Sequence, residues 1–399
     1  MVSQGTFVQL ASKGPFEDSF GLEPTVRPFK QCYKRPSRFA LEEKIQLFPN
    51  ECHFGSTNNF VDISRDGDLL GSITLQITLP VVEDAAPGTT WVNSIGYVLL
   101  RRVILQIDDT VVQDQERLWY DISDHLFGKA EHMPGLDAMI GRNVTLPVTQ
   151  KHTLYVPLKL LCCKDHRSEQ NWMPLINISK STIRLTLHTE TLEKCLSTAY
   201  PGTYAEPLDI QALVQYATVE APDREQLLLR PTAILYESVQ DMESQSFKPV
   251  TSITGSDTRM PLETIKIDMA ELNSPVKLLA WVSYQTLYDT YFDYTDDIAQ
   301  SLFLINGNER FSPQSEGYFQ LLEKFYRTDA ARPNNIHTYS FALNAAMWQP
   351  SGALNFDQVP SPILQVTLKT LRTDMTIKAF AVCYKRLIFS GGRAVLEYI

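Results

Sequence analysis

The sequence predicts an all-β chain made of two antiparallel β-sandwiches, with short helices confined to loops. Three observations predict it. Several segments alternate apolar and polar residues with period two. Proline (23) and glycine (18) punctuate the chain and leave few long helical patterns. A strand, a polar turn and an aromatic amphipathic segment occur in that order once in each half.

The elements follow in chain order. Residues 1–23 contain Gly, Ser and Lys with little periodicity and read as an N-terminal arm. Arg27, Lys30, Lys34, Arg35 and Arg38 then interleave with Phe29, Tyr33 and Phe39. That mixture suits nucleic acid or phospholipid headgroups, and it also fits a first strand with its basic residues facing out. Ile73, Leu75, Ile77 and Leu79 alternate with Ser72, Thr74, Gln76 and Thr78, a strand with one buried face. Tyr97 to Ile107 is apolar on both sides, which predicts a strand covered on both faces by a second sheet or a neighbouring subunit. It runs into the turn Asp108-Asp109. Glu116 to Phe127 then places Leu118, Trp119, Ile122 and Leu126 on one side of a short helix. Ile183, Leu185 and Leu187 alternate with polar neighbours.

Pro207, Pro222 and Pro231 surround the charged run Asp223-Arg224-Glu225 and mark the divide between the halves. The sandwiches are assigned to residues 24–215 and 216–399. In the second half, Leu302 to Ile305 enters Asn306-Gly307, a strong hairpin dipeptide. Ser315 to Tyr326 puts Tyr318, Phe319, Leu322 and Phe325 on one helical side. Leu364, Val366 and Leu368 alternate with polar residues, and Met375 to Phe389 is a second run apolar on both sides.

Composition narrows the function. The chain has 399 residues, Asp+Glu 46 against Lys+Arg 36, and a formal charge of -10. A surface coated with nucleic acid does not fit that balance. No window reaches the 18 apolar residues of a membrane span. Met1 to Phe16 has neither the basic start nor the apolar run of a secretory signal. Cys32, Cys52, Cys162, Cys163, Cys195 and Cys383 form no Cys-x-x-Cys pair and read as reduced thiols of a protein made in the cytosol. Cys162, Cys163 and His166 lie close in sequence but are too few for a zinc site.

No phosphate-binding glycine loop, dinucleotide fingerprint, zincin helix or nucleophile elbow is present. The seven histidines are scattered, and no pair has cupin-like metal spacing. The expectation is therefore no catalytic residue, no cofactor and no metal. Asp108, Asp109 and Asp114 could hold a cation or form a solvated turn. Asp289, Asp293, Asp296 and Asp297 interleave with Tyr288, Tyr291, Phe292 and Tyr294, which suggests an exposed contact loop or a sugar-binding surface. Asn143 and Asn177 stand in N-glycosylation sequons.

A family resemblance rests on specific residues. Tyr339-Ser340-Phe341-Ala342-Leu343 is followed by Gln349-Pro350-Ser351-Gly352 and by Asn355-Phe356. This resembles the "YSFAL…QPSG…NF" signature of major capsid proteins of nucleocytoplasmic large DNA viruses. Pro24 to Lys30 with Tyr33-Lys34-Arg35 is similar to the family's first strand. Leu154-Tyr155-Val156-Pro157-Leu158 resembles its "LYIPL", and Asp223-Arg224-Glu225-Gln226-Leu227 its inter-domain "EREQL". Ser274-Pro275-Val276-Lys277 with Leu279 and Trp281 resembles "HPVKELIW". Asn306-Gly307-Asn308-Glu309-Arg310-Phe311 fits as well. Three segments depart from the pattern: Asn344 to Trp348, Gln358 to Pro360, and Arg393 to Val395.

The resemblance implies a double jelly roll, two eight-stranded antiparallel sandwiches side by side. It implies a homotrimer whose six jelly rolls form a pseudo-hexagonal capsomer. Neighbouring capsomers, minor capsid proteins and an internal viral membrane are the implied partners, with no direct contact to nucleic acid. The implied place is the virion capsid, assembled in the host cytoplasm. Two alternatives stay open: a minor capsid or scaffold paralogue of the same fold, and a carbohydrate-binding jelly-roll protein.

Overall fold

The computed structural model describes residues 4–12, 37–83, 85–163, 171–200, 207–229, 232–242, 244–247, 264–285, 291–328, 334–369 and 374–397. Residues 1–38 and 39–399 are two separate units. In the first, the expected featureless arm contains a helix, Gln4–Ala11, none of whose residues is buried. The expected first strand over 24–36 lies outside the described residues.

In residues 39–399 the strands of the first half are β1 (Phe39–Leu47), β2 (Asn59–Asp62), β3 (Leu69–Leu79), β4 (Leu100–Ile107), β5 (Thr110–Glu116), β6 (His152–Pro157), β7 (Met173–Pro174), β8 (Ile183–Thr189) and β9 (Asp209–Val219). Those of the second half are β10 (Thr232–Asp241), β11 (Gln245–Phe247), β12 (Thr264–Asp268), β13 (Pro275–Tyr284), β14 (Ile298–Ile305), β15 (Asn308–Glu309), β16 (Gln314–Ser315), β17 (Ile336–Ser340), β18 (Leu354–Asn355), β19 (Pro362–Leu368), β20 (Met375–Ser390) and β21 (Arg393–Glu397).

The sheets repeat. In the first half β1-β9-β3-β6 faces β2-β8-β4-β5; in the second β10-β20-β13-β17 faces β12-β19-β14-β15. All these pairs are antiparallel. Each half is thus a jelly roll with two four-strand sheet paths, as expected.

Period two works as predicted in three strands. Ile73, Leu75, Ile77 and Leu79 of β3, Ile183, Leu185 and Leu187 of β8, and Leu364, Val366 and Leu368 of β19 are buried. The repeated turns share a left-handed residue, Asp108 (φ 52°) and Asn306 (φ 48°). Gly307 at φ 75° completes a two-residue hairpin between Ile305 and Asn308.

Three expectations change. Tyr97–Ile107 is not one strand. Ile95–Leu99 is a fully buried helix, and β4 after it alternates buried and half-exposed residues. A short helix buried all round gives the same unbroken apolar run as a buried strand. The division after residue 215 falls inside β9, which pairs with β1 and β3 on both sides of that point. The chain crosses between sandwiches through the helix Ala221–Leu229. The aromatic segment after β16 is helical, Tyr318–Leu322 and Glu323–Arg327, but only Phe319 of its expected apolar face is buried. Phe325 is 67% exposed. By contrast, β20 is buried on both faces from Met375 to Tyr384, as its run predicts.

Three apolar clusters organise the molecule. One fills the first sandwich and takes in Tyr236, Leu387 and Phe389 from the second half. One fills the second sandwich around Trp281, Phe303 and Phe319. The third lies between them, where Leu118, Trp119, Ile122, Leu126 and Phe127 of the helix Arg117–Phe127 cover the outer face of β13 and β20.

Candidate functional site

The residues of the Tyr339–Phe356 signature, with Phe311, build one end of the second sandwich. Tyr339 is opposite Leu279 across β17 and β13, so it shares the inward face with Trp281. Its ring lies 4.7 Å from Phe311 and 5.2 Å from Phe341. Phe341 and Phe303 each approach Phe356, at 5.9 and 6.1 Å. Phe311 continues the chain of rings to Phe319 at 5.5 Å, and Phe319 to Trp281 at 5.1 Å. Such contacts add about 0.5–1.5 kcal/mol per pair beyond the area they bury.

The polar motif residues hold the loop that returns past this cluster. Ser340 Oγ donates to Ala342 O at 2.9 Å. Ser351 Oγ donates to Asn344 O and accepts from Asn344 N, both at 3.0 Å. Asn355 Oδ1 accepts from Asp357 N at 3.1 Å and so starts the turn carrying Phe356. Gly352 sits at φ 137°, where an added Cβ would stand 2.9 Å from Phe341 O. That position requires glycine. Gln349 and Pro350 at the loop tip, and Asn306, Gly307 and Arg310 at the hairpin, are exposed. The motif therefore splits into an aromatic interior and an exposed rim.

The seam between the sandwiches carries charges that sequence reasoning missed. Arg142 Nη2 donates to Asp121 Oδ1 at 2.6 Å and to Asp124 Oδ2 at 3.4 Å. Tyr97 OH donates to Asp124 Oδ2 at 2.9 Å, and Lys159 Nζ pairs with Asp124. Tyr294, from the second half, donates to Asp121 Oδ2 at 2.8 Å. Burial pushes the Asp121 carboxyl up, against the pull of His125 and Arg142. Burial and then Asp121 push the Tyr294 hydroxyl well above its ordinary range. The signal was present: Asp121 and Asp124 interrupt a helix that is otherwise apolar on several sides.

A second set crosses the same seam. Lys378 of β20 pairs with Glu116 of β5, and with Asp241 of β10 at 3.1 Å. Arg102 of β4 reaches Asp114 at 2.6 Å and Asp241 at 3.4 Å. Gln113 Nε2 donates to Glu237 O at 3.0 Å. A cleft of about 710 Å³ opens beside these groups, with Tyr97, Trp119, Phe127, Lys159, Tyr236 and Trp348 in its wall.

Other candidates are dispersed. The Tyr/Asp loop folds inward along its described part: Tyr291 lies under Arg117 at 4.5 Å and Phe292 meets Tyr97 edge-on at 6.5 Å. Tyr294 is spent on Asp121, so the exposed aromatic platform that a sugar would need is not formed there. Tyr288 and Asp289 lie outside the described residues. Asp108 Oδ1 accepts from Thr182 N at 2.8 Å, and Asp114 is held by Arg102, so the acidic trio does not converge. Among the described residues no three His, Cys, Asp or Glu side chains gather as a metal site. Cys52, Cys162, Cys163, Cys195 and Cys383 are buried thiols, and burial pushes Cys52 and Cys383 up to about 11. Cys32, His166 and the basic cluster apart from Arg38 lie outside the described residues.

The two sequons differ. Asn143 is exposed at φ 57°. Asn177 is buried, and its Nδ2 donates to Leu227 O at 2.8 Å. A glycan on Asn177 would break that bond and has no room in the folded chain. No helix among the described residues is long and apolar enough to cross a membrane.

Comparison with known proteins agrees with this architecture. Residues 27–227 match the family "Major capsid protein N-terminus", and residues 223–383 match "Large eukaryotic DNA virus major capsid protein". The chain is 27% identical to the major capsid protein of Pyramimonas orientalis virus, covering 99% of each. It is 23% identical to probable capsid protein 4 of Acanthamoeba polyphaga mimivirus, covering 98% of this chain and 99% of that one. The fold matches the quasi-atomic model of the PBCV-1 virus capsid with a TM-score of 0.77 at 21% identity, over 93% of this chain and 99% of that chain. Two stacked jelly rolls, a motif that builds the end of the second, and two family models meeting at the crossover helix lead to one conclusion: the chain belongs to the major capsid protein family of large eukaryotic DNA viruses and has a structural role in the capsid.

Proposed function

We propose that this protein closes into a homotrimer whose six jelly rolls form a pseudo-hexagonal capsomer, and that these capsomers tile an icosahedral shell. The observation that carries the reading is the repeat itself. Two sandwiches of the same strand order lie side by side in one chain, so three chains supply six equivalent walls. A closed ring satisfies every sticky surface at once, which an open chain of copies cannot do. The chemistry of the seam is pairing and packing, which suits a structural part.

Neighbouring capsomers, minor capsid proteins and an internal viral membrane are the partners this reading implies. The place of action is the virion, with assembly in the host cytoplasm. Light scattering after size exclusion tests the trimer. Three chains of 45.3 kDa give about 136 kDa, and a mass of one chain at micromolar concentration would reject the reading.

The likeness to a protein named probable capsid protein 4 favours a second reading, a minor capsid or assembly-scaffold paralogue of the same fold. Copy number per virion separates the two, since a paralogue is present in far fewer copies than the shell protein.

A further inference from the structure

The two halves follow the same order of strands, but their helices meet different fates. In the first half β4, the turn and β5 lead into the helix Arg117–Phe127; in the second, β14, the turn, β15 and β16 lead into Tyr318–Arg327. Each helix sends one aromatic ring into its own sandwich: Tyr120 into the first core and Phe319 into the second. Setting Tyr120 on Phe319 places Ile122 on Leu321, Leu126 on Phe325 and Phe127 on Tyr326. It also sets Asp124 on Glu323, both buried.

Ile122, Leu126 and Phe127 are 0%, 0% and 5% exposed, because they cover the outer face of the second half's sheet. Their counterparts Leu321, Phe325 and Tyr326 are 48%, 67% and 67% exposed. The same helix face is thus covered once and bare once. Leu343 and Met347 extend the bare patch, since Arg327 Nη1 donates to Leu343 O at 3.1 Å and so ties that loop to the helix.

The receiving face shows the same asymmetry. In the second half the outward residues Leu278, Ala280 and Val282 of β13, with Phe380 and Val382 of β20, are all buried under the first half's helix. The matching face of the first half is formed by β3 and β9 with edge strand β1. There Thr74, Leu213 and Ile45 stand in one row, and Gln76, Gln211 and Leu47 in the next. Ile45 and Leu47 are 62% and 67% exposed. One chain therefore carries an uncovered helix face at one end of its repeat and an uncovered sheet face at the other.

We infer that the Leu321/Phe325/Tyr326 helix face of each copy docks on the outward β1-β9-β3 face of a second copy, repeating between chains the seam already made within the chain. The occupant is another copy because this chain already holds the mating pair: its own first-half helix seated on its own second-half sheet. The junction is head-to-tail, so each copy gives one helix and receives one, and in the trimer proposed above three such junctions close the ring. The inference rests on the trimer reading and assigns its contact residues.

The test uses the full chain and two variants. Phe325 faces away from its own core, so Phe325→Glu should keep the wild-type far-UV circular dichroism while the mass by light scattering falls from about 136 kDa to the 45.3 kDa of one chain. In the second variant a photo-crosslinking benzoylphenylalanine replaces Phe325. Irradiation should join chains, with the crosslinked peptides mapping to residues 39–47, 69–79 or 209–219 of the other copy. A Phe325→Glu chain that remains at 136 kDa, or crosslinks mapping elsewhere, overturns the assignment and leaves the trimer standing. A wild-type chain that is itself a monomer overturns the trimer reading, and this inference with it.

Discussion

Lys277→Met should destabilise the chain by about 3–5 kcal/mol. Lys277 lies on β13, and its side chain is 0% exposed. Its ammonium pairs with Glu237 of β10, whose side chain is 14% exposed, and donates to Ala345 O in the motif loop at 3.0 Å. The rings of Phe127 and Tyr384 lie 5.6 and 5.7 Å away. One buried charge thus joins an edge strand, the motif loop and the first-half helix. Methionine nearly fills the same volume, so the cavity contribution is small. What remains is the loss of the ammonium that faces Glu237, about 3–5 kcal/mol for breaking a buried pair. Roughly 1–3 kcal/mol of that belongs to the Ala345 carbonyl, which loses its donor. Replacing both partners, Lys277→Met with Glu237→Leu, removes the stranded charge and should leave only that carbonyl loss of about 1–3 kcal/mol. Urea unfolding followed by tryptophan fluorescence measures both, since Trp281 lies on the same strand. Protein concentration is held fixed because assembly adds stability by mass action. A single variant within about 1 kcal/mol of wild type refutes the reasoning. So does a double variant no more stable than the single one.

Three further outcomes are expected. Gly352→Ala should cost about 1–3 kcal/mol because φ 137° is strained for alanine and its Cβ meets Phe341 O; Gly135→Ala, in a helix with open space around it, should gain about 0.4–1 kcal/mol, and thermal melts should move in opposite directions. Burial pushes His337 down to about 3, so the unfolded chain binds its proton first as pH falls. Its contribution is complete above the unfolded value near 6.5 and is lost between there and about 3. Comparing urea unfolding free energies of wild type and His337→Gln at pH 6 and pH 4 should show the difference shrinking by about 2.5 kcal/mol, whereas parallel pH curves would argue against a buried neutral histidine. Removing residues 1–23 should leave soluble trimers and impair shell assembly, and normal shells in electron micrographs would show the arm to be dispensable.

The fold was legible where one face of a strand meets water. Ile73 to Leu79 and Ile183 to Leu187 alternate because their sheets have a wet side, and period two reports that directly. It was less legible where an element is dry all round: Tyr97–Leu99 looked like the start of a strand, since a helix without a wet face has no period to read. The Tyr291–Tyr294 segment misled for a related reason. Alternating aromatics and aspartates suggest an exposed loop until the mates Tyr97, Arg117 and Asp121 are known, and those lie over 170 residues earlier in the chain. The hydroxyl of Tyr294 and the carboxylate of Asp121 are each polar, and only the fold shows that they satisfy one another. The motif around Tyr339 and Phe356 was visible as a resemblance, but its physical content, a chain of rings from Phe356 to Trp281, needed the register of β13 and β17.

Those inward rings also explain how the interior half of the motif identifies the architecture and says nothing about partners. Tyr339, Phe341, Phe356 and Phe311 act on the interior of one sandwich, so any chain with this fold end can use them whatever it touches outside. Partner choice has to lie in exposed residues, either on the motif's rim, as Leu343 is, or outside it, as Leu321, Phe325, Tyr326 and Met347 are. The repeat makes these readable, because the chain performs the docking once on itself. The two docking faces also differ in the expected direction. Within the chain the covered sheet face is Leu278, Ala280, Val282, Phe380 and Val382. There the helix is tethered at high effective concentration from the start, so a face that is apolar except for the paired Lys378 is never long exposed. The equivalent face on β3 and β9 carries Thr74, Gln76 and Gln211 beside Leu213, and under the docking proposed above it stays in water until another copy arrives. A face that waits for a partner has to be partly polar to resist indiscriminate association, and the apolar share is pushed to edge strand β1, at Ile45 and Leu47. On the proposed docking, polar rows flanked by an apolar edge mark the junction between chains, and a largely apolar face marks the junction within one.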